Sequence, residues 1–577
     1  MYSLLRNVQI VVASLKSYGV RHVVHCPGGA DAPIGESFDN DDSFTCYSIV
    51  DERSAVFFAI GMSMANGNAP VAVVCTSGTA VSNFTSGMTE AYYKGVPIIA
   101  ITADRSPYTL DQFEIQKIDQ RTIFSNCSKV EVDLPIVSNE DEAWYCDRLV
   151  NEALLELCSG IPGPIHINVP TASQGPSGCY ASSLPPVKTM RRHIPGGDWR
   201  GLAEELLDFK RVMIVVGENA RLSEKDKDAM EAFFDKCDCV YSVEHMSNYC
   251  GKGSVMTYRV TEAMTSKAFE SLTPDLVVDF GGHIASVNLK RYLRERSKDF
   301  KHWSIREDGS VRDGFRSLTD VFQCAPGYFF DFFARALKGS VNGGCYYKQW
   351  RSAVDAVEPP CKGLSNFRVA KELAELIPEG SLLELGILNS VRVMQFFDLN
   401  ESVTVSANLG ALGIDGCLST AVGKAASTDR LVVIMQGDLS FFYDMNALNI
   451  RYIGSNLRVL LVNNGGAAEF HIGGGRREHP NIDEYLAAQH RASARGWAEE
   501  CGFAYLCVRS LEDLRSCMER FVSSSEKPIL MEVFTDRDND AALLDSFYEE
   551  HSGATSLERM KGAAKGTAKR LLSLARD

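Results

Sequence analysis

No apolar run in this chain reaches the roughly 20 residues that a helix needs to cross a bilayer, so the sequence predicts no membrane span. The stretch most like a signal peptide, Val8 to Ala13, is short, contains Gln9 and is followed by Lys16 where a cleavage site would stand. Leu4, Leu5, Val8, Val11, Val12 and Leu15 fit one helix face instead, which predicts an amphipathic first helix of a cytoplasmic protein. None of the 17 cysteines forms a Cys-x-x-Cys pair, and the 11 histidines show no metal-ligand spacing with cysteine or with each other. The expectation is buried thiols in a reducing compartment, without a disulfide framework or a zinc site. Basic charge is scarce: 59 Lys and Arg against 74 Asp and Glu give a formal charge of −15 and a pI near 5.3. That argues against a non-specific nucleic-acid binder and leaves room for a local cationic pocket. There is no short-period repeat and no low-complexity tract.

The composition, 45% hydrophobic and 23% charged, is that of an ordinary globular protein. The length allows about three to five domains. Apolar, β-branched runs alternate with helical patterns. The expected strands include His22–Cys26, Val71–Thr76, Pro97–Thr102, Ile165–Val169, Val212–Val216, Leu276–Phe280, Leu382–Leu385, Val403–Ala407, Leu431–Met435, Val459–Val462 and Ile529–Val533. Several are apolar on both faces, as in parallel sheets covered by helices. The fold class is α/β with three open, mostly parallel-sheet domains. A Gly/Ser/Pro-rich stretch from Gln174 to Pro186 and a poorly patterned link around Pro359, Pro360 and Gly363 divide the chain into blocks of about 1–185, 186–350 and 351–545. A basic tail, 546–577, carries Arg559, Lys561, Lys565, Lys569, Arg570 and Arg576 among Leu and Ala, and reads as a peripheral helix or frayed end.

Three groups of residues could carry chemistry. In the third block, Gly437-Asp438 ends one buried strand and Asn463-Asn464-Gly465-Gly466 ends the next. Ligands of open α/β sheets sit beyond the C-terminal ends of strands. Asp438, Asn464 and the backbone of Gly466 offer hard oxygens suited to Mg²⁺, which takes few protein ligands and completes its shell with phosphate oxygens and water. The same residues also suit ordinary turns. In the first block, Asp51-Glu52-Arg53 opens a helix after the extended run Thr45–Val50. Glu52 is either a first-turn carboxylate stabilised by the helix dipole or a buried acid that exchanges a proton with a heterocycle nitrogen. Finally, Pro27-Gly28-Gly29-Ala30-Asp31-Ala32-Pro33 and Ser77-Gly78-Thr79 follow two strands at the same sheet edge, where together they line a crevice with Glu52.

Taken together, these residues resemble the thiamine-diphosphate enzymes, with Gly437-Asp438 and Asn463-Asn464 in the place of their diphosphate–Mg²⁺ motif and Glu52 in the place of their catalytic glutamate. Within that superfamily the chain is similar to the MenD family of menaquinone-pathway synthases through Thr76-Ser77-Gly78-Thr79-Ala80, Thr102-Ala103-Asp104-Arg105, Gly413-Ile414-Asp415-Gly416 and Gly437-Asp438-Leu439-Ser440-Phe441. The similarity runs from the N-terminus to about Asp540. It implies a pyrimidine-binding, a central and a diphosphate-binding domain, and thiamine diphosphate and Mg²⁺ as cofactors. It also implies a dimer or tetramer in which the first block of one subunit meets the third block of another. Glu52 would hydrogen-bond the aminopyrimidine, and Ile414 would wedge the cofactor into a bent shape. Gly28, Ser77, Gly78, Thr79, Asn408, Gly410, Gly437, Leu439 and Ser440 complete the implied cofactor set.

The departures bear on substrate. The family carries Ser-Arg where this chain has Gly29-Ala30, Asn-Arg-Gly where it has Asn408-Leu409-Gly410, and another arginine where it has Met394. An apolar residue has become Glu469, beside Phe470 and His471, and Asp31 stands where the family is uncharged. Arg105, Gln116 and Ser390 remain, and Arg392 lies near a lost arginine. The missing arginines are those expected to grip the carboxylates of 2-oxoglutarate and isochorismate, a bidentate contact whose loss is not neutral. The expected activity is decarboxylation of a 2-oxo acid with transfer of the acyl-anion equivalent to an acceptor, on changed substrates. The alternatives are the menaquinone enzyme itself, with Arg392, Arg476 or Arg477 compensating, and a simple 2-oxo acid decarboxylase with Glu469, His471 or His25 as acid. A dinucleotide oxidoreductase fits poorly, since Gly410 to Gly416 has G-x-x-G-x-x-G spacing in place of G-x-G-x-x-G.

Overall fold

The computed structural model describes residues 1–171, 180–219, 222–338, 344–473 and 480–551. The first part of the Gly/Ser/Pro-rich stretch, Arg476, Arg477 and the tail beyond His551 lie outside them. The chain groups into two compact units, Met1–His193 with Gly309–Val321, and Ile194–Asp308 with the residues from Phe322 onward.

The first unit holds a six-stranded parallel sheet in the order Thr45–Ser48, His22–His25, Val71–Cys75, Ile98–Asp104, Ile165–Pro170, Glu131–Asp133. Val71–Cys75, Ile98–Asp104 and Ile165–Pro170 are buried at every residue, as strands covered on both faces must be. The amphipathic first helix is Arg6–Ser17, with Val8, Val11, Val12 and Leu15 in the core.

The second unit contains a sheet that repeats the first one's topology. Its order is Thr404–Ala407, Leu382–Leu385, Val432–Gly437, Leu457–Asn463, Ile529–Phe534, Ala504–Val508, again all parallel. In both sheets the chain starts at the second position, adds one strand to one side, then crosses to the other. The switch point therefore falls between His22–His25 and Val71–Cys75 in one, and between Leu382–Leu385 and Val432–Gly437 in the other. Loops leaving such a pair in opposite directions open a crevice at the strands' carboxyl ends.

The same unit carries the core of the middle sheet, Ser254–Val255, Cys239–Ser242, Val212–Val216, Leu276–Phe280 and Lys301–Ile305, also parallel. Its switch-point loops are laced together: Gly217 N–H donates to Phe280 O, Glu218 N–H to His283 O and Gly282 N–H to Glu218 O. A Cβ on Gly217 would stand 2.3 Å from Gly282 O, so this approach requires glycine.

His245 links this domain to the third sheet's domain. Its backbone N–H donates to Gln395 Oε1, and its Nε2 lies 3.0 Å from both Met394 O and Phe397 O. Burial pushes its pKa down to about 4. A depressed histidine pKa gives stability that is present above pH 6.5 and lost as pH falls through about 4. The melting temperature of the wild-type protein should therefore drop by several degrees more than that of His245→Gln between pH 6.5 and 4, as read by scanning calorimetry. Parallel profiles would contradict this.

Candidate active site

In the first unit, Asp51 caps helix Glu52–Ala65 by accepting from Ser54 N–H at 3.1 Å, which fixes Glu52 in the first helical turn. Glu52 is half-buried. Its charge reaches the Cys26 thiol at the neighbouring strand end, where burial and then this carboxylate push the thiol up to about 12. The glycine-rich loop packs on its partner: a Cβ on Gly28 would meet Thr76 Cβ at 2.4 Å and Asp31 Oδ1 at 2.7 Å. Ser77 is buried, and Gly78, at φ +82°, donates its N–H to Gln120 Oε1 at 3.0 Å. Thr79 begins the following helix.

Gly29 and Ala30 line a cavity of about 520 Å³ with Asp104, Arg105, Tyr108, Gln116 and other residues of the strand-end loops. Of the five first-block residues expected from sequence to face substrate, Gly29, Ala30, Arg105 and Gln116 are thus brought together and Asp31 is not, while Gly28, Glu52, Ser77, Gly78 and Thr79, expected at the same crevice, are not among the described lining residues. Lys117 neutralises Asp104 at 2.6 Å. The Arg105 guanidinium has one long bond, to Gln116 Oε1 at 3.4 Å, and no carboxylate within ion-pair distance among the described residues. Asp31 points the other way. It is fully buried and bonds His25 Nε2 at 2.9 Å.

In the second unit, Asp438 follows strand Val432–Gly437 and is 3% exposed. Its Oδ2 accepts from the N–H groups of Asn464, Gly465 and Gly466 at 3.1, 2.7 and 3.0 Å. Gly465 and Gly466 adopt φ of +80° and +146°, and a Cβ on Gly466 would stand 2.6 Å from Ala487 O, so this loop needs glycine to turn its donors inward. Asn464 Nδ2 donates to Asp540 Oδ2 at 3.2 Å, which assigns the amide orientation and leaves Oδ1 available as a ligand.

A cavity of about 280 Å³ joins these groups. Ser390, Ile414, Gly437, Asp438, Leu439, Ser440, Asn464, Gly466, Glu469 and Phe470 all line it, together with Ile387, Met435 and Val462. Ile414 also packs against the core, and Ser440 Oγ donates to its carbonyl. Asn408 and Gly410 are outside the described lining; Asn408 Nδ2 donates to Thr420 instead. Arg392 is outside it as well. Its guanidinium forks onto Glu469, Nη1 to Oε2 at 2.5 Å and Nη2 to Oε1 at 3.1 Å. His471 sits between Asp483 at 3.0 Å and Asp538 at 3.4 Å and is not a described lining residue.

Three contributors were not expected from sequence. Gln120, fully buried, joins Gly78 to Asn168 and the Ala103 carbonyl. Asp540, pushed up to about 6 by burial, holds Asn464. His490 Nε2 lies 3.2 Å from Asp438 Oδ2, which raises the imidazole pKa. None belongs to a motif, and Asp540 lies in the last described helix, far along the chain from Asn464.

Residues 6–123 match a family described as "Thiamine pyrophosphate enzyme, N-terminal TPP binding domain". A 2-succinyl-5-enolpyruvyl-6-hydroxy-3-cyclohexene-1-carboxylate synthase of Bacteroides thetaiotaomicron is 37% identical over 95% of this chain and 99% of its own. That of Bacteroides fragilis is 37% identical over 95% and 100%, and that of Desulfotalea psychrophila 33% over 90% and 96%. With identity at this level from end to end, the chain belongs to the 2-succinyl-5-enolpyruvyl-6-hydroxy-3-cyclohexene-1-carboxylate synthase family of thiamine-pyrophosphate enzymes.

Proposed function

We propose that this protein is a thiamine-diphosphate- and Mg²⁺-dependent carboligase that decarboxylates a 2-oxo acid and hands the acyl-anion equivalent to an acceptor, with substrates carrying fewer carboxylates than those of the menaquinone enzyme. The observation behind the substrate reading is the fate of the arginines. Ala30, Leu409 and Met394 replace three, and the nearby Arg392 is already paired with Glu469. Arg105 alone is left as an open cationic anchor among the candidates in the described residues, enough for one carboxylate.

The donor set fits the cofactor and its cation. Asp438, the free Oδ1 of Asn464 and the Gly466 carbonyl would hold Mg²⁺, and the cation would hold the diphosphate. When bound, the cofactor supplies the electron sink that lets a 2-oxo acid lose CO₂. Glu52 would hydrogen-bond the aminopyrimidine and govern its protonation. The apolar walls, Ile387, Ile414, Met435 and Val462, would exclude water from the reacting carbon. The assembly we propose is a C₂ dimer, or a pair of dimers, in which the Glu52 side of one copy meets the Asp438 side of its partner. A second reading, the menaquinone-pathway synthase itself, is favoured by the end-to-end identity.

Asp438→Ala should abolish calorimetric binding of thiamine diphosphate in the presence of Mg²⁺; tight binding by the variant would overturn the cation assignment. Glu52→Gln should retain cofactor binding and slow deuterium exchange at the thiazolium carbon by roughly 100-fold or more; wild-type exchange would reduce Glu52 to a helix-start residue. Three lost charge-assisted contacts, each worth roughly 1.5–3 kcal/mol, predict poor turnover of 2-oxoglutarate with isochorismate in steady-state kinetics. A kcat/KM of about 10⁴ M⁻¹s⁻¹ or more for that pair would establish the second reading.

A further inference from the structure

The Arg392–Glu469 pair resembles an anion site with its anion already in place. We infer that Glu469 is a built-in carboxylate that occupies Arg392, and that removing it turns this wall of the second unit's cavity into a carboxylate-binding site. The inference rests on the substrate reading above and adds the residue that enforces it.

The geometry is that of a ligand contact. Two guanidinium nitrogens meet two carboxylate oxygens, the parallel fork by which arginine binds free carboxylates. Both side chains are largely withdrawn from water, at 19% and 26% exposure, where a guanidinium left without its carboxylate is costly. Glu469 lines the cavity and Arg392 does not, so a substrate entering there meets the carboxylate, with the cation behind it. Arg392 is held ready by its own helix: Nη1 also donates to Asn389 Oδ1. The Tyr258 and Tyr548 hydroxyls and the buried Glu262 carboxyl also interact with it electrostatically. Glu262 bonds Tyr548 Oη at 3.2 Å, so Glu469 is the carboxylate on the guanidinium itself.

A purely structural ion pair would also be destabilised by losing one partner. What separates the two roles is whether an added carboxylate repairs the damage. The test uses the full chain without cofactor and glutarate as probe, against chloride at equal ionic strength. Glu469→Ala should melt lower than wild type, regain stability with glutarate, and bind glutarate at least tenfold tighter than wild type by calorimetry. The double variant Glu469→Ala/Arg392→Met should lose that gain. Should Glu469→Ala not fold, Glu469→Gln, which keeps the shape and loses the charge, should show the same direction. Equal glutarate affinity in wild type and the single variant, or a gain that survives Arg392→Met, would overturn the inference. Since these readings involve neither cofactor nor turnover, they fail or succeed separately from the wild-type kinetics that test the substrate reading.

Discussion

The second unit's site depends on one carboxylate in a backbone cradle. Asp438 ends one strand, and the N–H groups of Asn464, Gly465 and Gly466 after the neighbouring strand converge on its Oδ2. A buried carboxylate without such donors would cost several kcal/mol. The cradle exists because two glycines take backbone conformations open to few other residues and because the sheet order places these strands side by side. Asp540 extends the arrangement outward by fixing which end of Asn464 faces the site.

Repetition of one sheet topology gives the chain two switch-point crevices, and they differ in chemistry. The first unit's loops bring a half-buried glutamate, tightly packed glycines and an arginine with no carboxylate partner among the described residues. Those of the second unit bring a caged aspartate, an oriented amide and apolar walls. The middle sheet has a switch point too, but its loops are hydrogen-bonded to one another and Gly217 packs against Gly282. The two outer sheets carry the candidate chemistry, and the middle domain contributes contacts to the third sheet's domain such as those of His245.

Much of this was legible in the sequence because buried parallel strands are continuous apolar runs, and because ligand loops must follow them. Strands without a continuous apolar run are harder to read, because their polar residues have distant partners or face solvent. Lys301–Ile305 is buried although it contains His302 and Ser304, since His302 bonds Asp279 at 2.8 Å from the adjacent strand. Ala504–Val508 is an edge strand with Cys507 exposed, so its apolar pattern is broken. At the site, glycines and acids at strand ends could be picked out, but which charges pair could not. Arg392 reads as a substitute for a lost arginine until its fork onto Glu469, 77 residues away, is visible. The same holds for Asp31, whose partner His25 emerges only once the helix after the glycine loop folds back over the strand end.

The proposed function keeps the cofactor machinery and leaves Arg105 as the one open cationic anchor among the candidates in the described residues. Its most direct test is CO₂ release by the wild-type protein, with thiamine diphosphate and Mg²⁺, from pyruvate and 2-oxoglutarate side by side over a range of concentrations. The account predicts release from pyruvate at an efficiency at least tenfold above that from 2-oxoglutarate. Preferential release from 2-oxoglutarate would contradict it.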